Sequence, residues 1–144
     1  MISFRKMKLG DLENIYKDTE IRPLITVTPK GKKFAVVIEL DEQIIGGASG
    51  YVENNAAIAQ SVIVKESDQK HLYKDGLIRS LIHFLELDGI ELLFINDIDP
   101  LYQIIGFHEL QGNEDFLSNL GDEANNDIKI NHTLWINLKD FFKH

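Results

Sequence analysis

The side chains with chemistry to offer gather between residues 62 and 107. Lys65, Lys70, Lys74 and Arg79 crowd the place where an apolar run ending at Val64 gives way, through a loop to Gln69, to a helical pattern closed by Gly89, and His71 lies on the same loop. Cations around a helix start suit an anion. The first N–H groups of a helix have no partner inside it, and the dipole adds to their pull, so a phosphate is the ligand such a place takes well. Asp75 works against this, because a carboxylate capping the helix competes for the same dipole. Farther along stand Asn96, readable also as a strand-end turn residue, and Tyr102, readable also as a ring packed on a short helix.

Other chemistries lack their residues. The chain has no cysteine, which excludes disulfides, thiolate metal sites and a cysteine nucleophile. His71, His83, His108, His132 and His144 show no metal-ligand spacing. Neither a G-x-S-x-G elbow nor a G-x-x-x-x-G-K-[ST] loop occurs, which argues against common serine hydrolases and P-loop enzymes. Gly46-Gly47-Ala48-Ser49-Gly50 lies inside a strand pattern with no helix after it, and reads as a bulge or close packing, not a phosphate cradle.

The elements that must position these residues are legible from periodicity. Residues 2–7 read as a strand, and Leu9, Leu12, Ile15 and Tyr16 recur at helical spacing, with Asp11 placed to cap or precharge the first turn. Residues 19–33, with Pro23, Pro29 and Gly31, form an irregular connection holding one short helical turn. Residues 34–40, 43–52 and 56–64 make an antiparallel meander turned at Asp41-Glu42 and Asn54-Asn55. In the next helix Leu77, Ile78, Leu81, Ile82 and Leu85 form one apolar stripe. Residues 90–95 suit a strand buried on both faces, and a strand-helix-strand unit of this length favours parallel pairing. A short helix over 100–105, a polar acidic excursion over 111–131 and a last strand over 132–138 complete the order. One domain, residues 1–144, is expected.

That order, with the motifs along residues 62–107, resembles the GNAT superfamily of acyl-CoA-dependent N-acetyltransferases. The family's cofactor motif is similar to V-x-x-x-x-Q/R-x-x-G-x-G/A before a helix. Here Val64 and Gln69 keep the spacing, while the two glycine positions fall on Leu72 and Lys74. A second register, with Gly76 as the first glycine, leaves too short a helix before Gly89. Tyr102-Gln103-Ile104-Ile105-Gly106-Phe107 resembles the family's F-Y-E-K-L-G-F segment.

The resemblance implies a mixed α/β fold: a mostly antiparallel central sheet of six to seven strands flanked by helices, with two splayed central parallel strands. It implies acetyl-CoA as co-substrate, with no metal. The backbone of Val62 and Val64 would pair with the pantetheine arm, and the loop from Gln69 through Lys70, His71, Leu72, Tyr73 and Lys74 would hold the pyrophosphate by its amides. Leu72 is the departure that bears hardest on this, since a side chain there can obstruct the approach. Asn96 would bond the cofactor arm. Tyr102 would serve as general acid to the leaving thiolate, a phenol being protonated at neutral pH. Where many relatives carry a glutamate base, this chain has Gln60, which takes no proton. A water chain, a carboxylate such as Glu39, Asp97 or Glu109, or an acceptor already neutral would have to serve. The rival reading is a catalytically silent relative that binds coenzyme A or a protein partner.

The net charge of −8 is unevenly placed. Residues 1–79 hold 12 Lys and Arg against 11 Asp and Glu, whereas residues 80–128 hold 11 acids and no Lys or Arg. Such a block repels nucleic acid and anionic lipid and attracts a cationic partner, or serves as a solvated face. The expected partner is a small-molecule or peptide amine, with no nucleic acid and no membrane; a homodimer stays open. No apolar run approaches membrane-spanning length and no signal-peptide core precedes residue 8, so a cytoplasmic location is expected.

Overall fold

In the computed structural model, which describes residues 1–26 and 31–141, the chain builds one seven-stranded sheet in the order β1-β2-β3-β4-β5-β7-β6. β1 (Ile2–Lys6) pairs antiparallel with β2 (Lys32–Leu40), β2 with β3 (Gln43–Glu53), and β3 with β4 (Ala56–Val64). The two tight turns of this meander have left-handed backbone at both central residues: Asp41 and Glu42 at φ 49° and 70°, Asn54 and Asn55 at 51° and 65°. That geometry matches the right-handed twist of the strands it joins.

The chain then changes period. Between β1 and β2 lie α1 (Leu12–Lys17) and a 3-10 turn at Arg22–Ile25. After β4 comes α2 (Lys70–Leu87), whose Leu77, Ile78, Leu81, Ile82 and Leu85 are buried; Gly89, at φ 81°, takes the chain out of it. β5 (Leu92–Ile95) returns parallel to β4, as a strand-helix-strand crossover requires. It is shorter than the expected 90–96, because pairing to both neighbours lasts four residues and stops together. α3 (Pro100–Ile105), β6 (His108–Glu109), α4 (Asp122–Asp127), β7 (Leu134–Asn137) and α5 (Leu138–Phe141) follow. β7 pairs antiparallel with both β5 and β6. The last strand is likewise narrower than residues 132–138, since Leu138 already begins α5.

Both faces of the sheet are covered. On one, Val36, Ile38, Ala48, Ala57, Ala59, Leu93 and Ile95 meet the stripe of α2, with Tyr102 in the same cluster. On the other, Ile15, Ile21 and Leu24 cover Val37, while Ala124 and Leu110 lie over Tyr51, Ile58 and Phe94. The acidic excursion is therefore a lid of short helical turns on this second face. Residues 27–30, the middle of the 19–33 connection with Pro29, and His144 lie outside the described residues. No helix among the described residues is long and apolar enough to cross a membrane.

Candidate active site

The sheet opens between its two parallel strands. β4 and β5 are paired only from Ala56↔Leu92 to Ala59↔Ile95. The register of β3 and β4 shifts between Ser49 and Gly50, leaving Gln60 as an extra residue on β4 at that point. A bulge bends its strand, and from here β4 continues to Val64 with β3 as its neighbour and, among the described residues, no strand on the other side. Gly50 belongs to the same device, since a Cβ there would collide with the Ile58 carbonyl across the bulge.

The direction of the freed groups follows from the ladder. The Lys65 amide donates to the Ile45 carbonyl at 2.9 Å. Bonding direction alternates along an antiparallel strand, so Ile63 and Ser61 also face β3, and the main-chain groups of Val62 and Val64 face the opening. The side chain of Val64 is buried beneath α2 and that of Val62 packs on the same core.

α2 begins at Lys70 with Gln69 as its N-cap, as the Val64 to Gln69 register requires. Gly76 has another role: it sits within the helix beneath the Phe4 ring, which leaves no room for a Cβ. The Gln69 amide donates to Ser67 Oγ at 3.2 Å and the Lys70 amide to the Ser67 carbonyl at 3.3 Å. Among the described residues the amides of His71 and Leu72 meet no acceptor. Leu72 is 64% exposed, so its side chain turns to solvent and leaves the helix start uncovered. The expectation for Asp75 is corrected: it lies a full turn inside the helix and pairs with Arg79 at 3.1 Å, because an i,i+4 carboxylate–guanidinium contact is open to it there.

The basic surround is also corrected. Lys65 pairs with Asp18, Lys70 with Glu66, Arg79 with Asp75, and Lys74 with Asp97 and Asp99, both at 2.9 Å. Each cation has a carboxylate partner, so the loop offers main-chain donors more than free positive charge.

Lys74 ties the start of α2 to the chain leaving β5. Its side chain is only 13% exposed, and its Nζ lies 5.4 Å from the centre of the Tyr102 ring. The Tyr102 hydroxyl donates to Asp97 Oδ2 at 2.7 Å. Burial pushes the Tyr102 pKa well above that of an ordinary phenol, and the hydrogen bond to Asp97 adds to it, so the hydroxyl holds its proton. Asp99 caps α3 by accepting from the Leu101 amide at 2.9 Å, ahead of Pro100 at the first helical position. Burial opposes its charge, yet the Leu101 amide and Lys74 prevail and hold its carboxyl below the usual range. Burial also opposes the Lys74 ammonium, and the same two carboxylates outweigh it and raise the Lys74 pKa.

The other face of the opening carries a second cluster. Asp127, at the end of α4, accepts the Tyr51 hydroxyl at 2.5 Å and Gln60 Nε2 at 3.5 Å. Asn96 Nδ2 donates to the Asp127 carbonyl at 2.8 Å, and Asn96 Oδ1 accepts from Thr133. Asn96 thus stands at the end of β5 with its side chain bonded into the lid. Of the carboxylates considered as bases, Glu39 is held by Arg5 at 2.6 Å on the β1–β2 side, Asp97 serves Lys74 and Tyr102, and Glu109 lies on the edge strand β6. Asp127 and Tyr51 escaped the sequence reading, since 76 residues separate them and no motif joins them. The Asp99-Pro100 pair was a readable helix-start signal. Among the described residues no group of three or more His, Cys, Asp or Glu is arranged to hold a metal ion.

A parallel pair that parts beside an open helix start, within an otherwise antiparallel sheet, is the fold of the GNAT acetyltransferases, and this chain has it. It resembles an acetyltransferase of the GNAT family from Staphylococcus aureus Mu50, with 13% identity over 96% of this chain and 99% of that one and a TM-score of 0.66. It resembles the ribosomal-protein-S18-alanine N-acetyltransferase from Escherichia coli at 13% identity, over 96% and 94%, with a TM-score of 0.65. A GNAT family acetyltransferase from Brucella melitensis in complex with acetyl-CoA is similar at 19% identity over 75% and 83%, with a TM-score of 0.60. No protein-family model and no curated protein sequence matches the chain.

Proposed function

We propose that the chain is an N-acyltransferase that moves an acetyl or other acyl group directly from acetyl-CoA to a primary amine of a small molecule or peptide. The observation that carries this reading is the unpaired edge of β4 at Val62 and Val64 beside the acceptor-free amides of His71 and Leu72. An amide-bearing pantetheine arm fits the first as an added strand would, and a diphosphate fits the second. Gln69 opens that loop; the Lys70 and Tyr73 amides, expected to share in the binding, donate instead to the Ser67 and Gln69 carbonyls, which leaves His71 and Leu72 to meet the diphosphate. Asn96 would border the arm where β5 ends, and Tyr102 would give its proton, or a hydrogen bond, to the departing sulfur. The chain is taken to act as a single domain.

The Lys74 cluster favours a second reading. Tyr102 is fully buried with its hydroxyl committed to Asp97, and Gln60 stands where a base is usual. Both would suit a silent relative that binds coenzyme A or a protein partner in a regulatory role. Two measurements separate the readings. Acetyl-CoA at 100 times its dissociation constant stabilises a binder by about 2.7 kcal/mol, and the absence of any shift in melting temperature at millimolar acetyl-CoA overturns both coenzyme A proposals. Thiol release across a panel of amines then distinguishes enzyme from silent binder. Tyr102→Phe is expected to slow release on the transferase reading, and an unchanged rate removes Tyr102 from the mechanism.

A further inference from the structure

Where the two parallel strands part, a carboxylate of the lid stands across the fork. Gln60 is the first residue of β4 beyond the last pair, Ala59↔Ile95, and Asn96 is the first residue after β5. Both bind Asp127, Gln60 through the carboxylate and Asn96 through the main chain. The Tyr51 hydroxyl fixes the direction of that carboxylate from β3, and Thr133 locks Asn96 from the far side. Burial raises the Tyr51 pKa, with the hydrogen bond to Asp127 adding to it, so Tyr51 remains a donor at neutral pH.

The neighbourhood is acidic, and one buried polar group farther along the same face of β3 is unmatched. Glu53 on β3 accepts the Ala124 amide at 3.0 Å near the start of α4, and Glu53 and Glu123 both act electrostatically on Tyr51. Ser49 lies two residues before Tyr51 on the same face of β3, between Tyr51 and Gly47, which sits under Leu24. Ser49 is 1% exposed and its hydroxyl has no hydrogen-bond partner.

We propose that Asp127 is the general base of the transfer and that it selects an alkyl ammonium as acceptor. The proposal rests on the transferase reading above. Asp127 takes a proton from R–NH₃⁺, giving R–NH₂ and a neutral carboxyl. The nitrogen lone pair then forms the C–N bond at the thioester carbonyl, the C–S bond breaks with its electron pair going to sulfur, and the second nitrogen proton ends on that sulfur as the free thiol. Tyr51 is a positioning residue that aims the carboxylate. Gln60 keeps its place at the bulge as a neutral neighbour, so the lid supplies the charge that this strand lacks.

The test compares two acceptors in wild type and Asp127→Asn: an alkylamine, cationic at pH 7, and an arylamine or hydrazide, neutral at pH 7. In the variant kcat/KM for the alkylamine is expected to fall ~100-fold or more, and that for the neutral acceptor by less than about 5-fold, with stabilisation by acetyl-CoA unchanged. Tyr51→Phe, which keeps the carboxylate, gives the same pattern at roughly 10-fold, and stands in if Asp127→Asn fails to fold. Equal losses for both acceptors, or an alkylamine loss under about 3-fold, overturn the assignment while leaving the transferase reading intact. A wild type that releases no thiol with any amine overturns that reading and the assignment with it.

Discussion

Replacing Lys74 separates what its side chain does from what the free amides at the start of α2 do. The ammonium bridges Asp97 and Asp99 at 2.9 Å each, with the lysine side chain 13% exposed, Asp99 17% and Asp97 37%. An exposed pair contributes under about 1 kcal/mol, and breaking a fully buried one costs about 3–5 kcal/mol. The intermediate burial here, with the outer partner Asp97 discounted for solvent, gives about 2 kcal/mol for Lys74→Met, which keeps most of the aliphatic stem. For a domain of this size that corresponds to a fall of roughly 6–8 °C in melting temperature. Linkage fixes the pH window. Lys74 has a raised pKa, so its contribution is present below about 10.4, the unfolded value, and is lost as pH rises through the higher folded value. Asp99 has a lowered one, so its share is present above about 3.9 and disappears as pH falls through the folded value. The difference between wild type and variant should therefore hold across neutral pH and close at both extremes. Stabilisation by acetyl-CoA should be kept or increased, because the substitution leaves the acceptor-free amides of His71 and Leu72 in place and removes the tie across the strand ends. Differential scanning fluorimetry with and without acetyl-CoA reads both effects. A fall under about 2 °C, a third of the smallest shift expected, refutes the structural tie, and loss of the acetyl-CoA effect shows that the ammonium itself meets the phosphates.

Gly76→Val should cost about 1–3 kcal/mol by overpacking against the Phe4 ring, and urea melts of the double variant with Phe4→Leu should recover part of it; equal midpoints for single and double variants exclude this contact as the cause. Acid should unfold the protein partly through Asp11, which accepts both Arg5 guanidinium nitrogens at 2.7 and 3.0 Å. The Arg5 hydrogen bonds hold its carboxyl below the ordinary range against burial, with the Lys8 amide helping. The stability it contributes is present above about 3.9 and lost as pH falls through the folded value, so Asp11→Asn should be destabilised by about 2–3 kcal/mol at pH 7 and show a shallower acid melt below about pH 4. An acid transition as steep as that of wild type counts against the Arg5–Asp11 account.

The order of elements was legible because it depends on local signals. The meander turns at Asp41-Glu42 and Asn54-Asn55, the stripe of α2 and the apolar run of β5 each follow from a short window of sequence. The opening between β4 and β5 was legible only through the resemblance, since the bulge at Gln60 depends on register with β3 and leaves no mark in β4 itself. The electrostatics were the least readable part. Lys65, Lys70, Lys74 and Arg79 look like a phosphate-binding surround in one dimension, but two of them are neutralised within one helical turn and two by Asp18, Asp97 and Asp99 brought in from elsewhere. Asp127 is the converse case, an unremarked acid in a polar excursion that the fold delivers to Tyr51.

The two clusters lie on opposite faces of one opening, and this bears on how a transfer would run. Tyr102 belongs to the core beneath α2, whereas Tyr51 belongs to the core beneath the lid. A donor lying along the free edge of β4 would meet the Lys74–Asp97–Tyr102 group on the α2 face and the Asp127–Tyr51 group on the lid face. The acceptor would then approach from the lid face without crossing the donor, which suits direct attack and needs no acylated side chain as an intermediate station. It also assigns separate variables to separate elements: changes around Lys74 should act on donor affinity, and changes around Asp127 on acceptor choice. Kinetics in which a Lys74 variant altered the KM for the amine and left that for acetyl-CoA untouched would contradict this division of the opening.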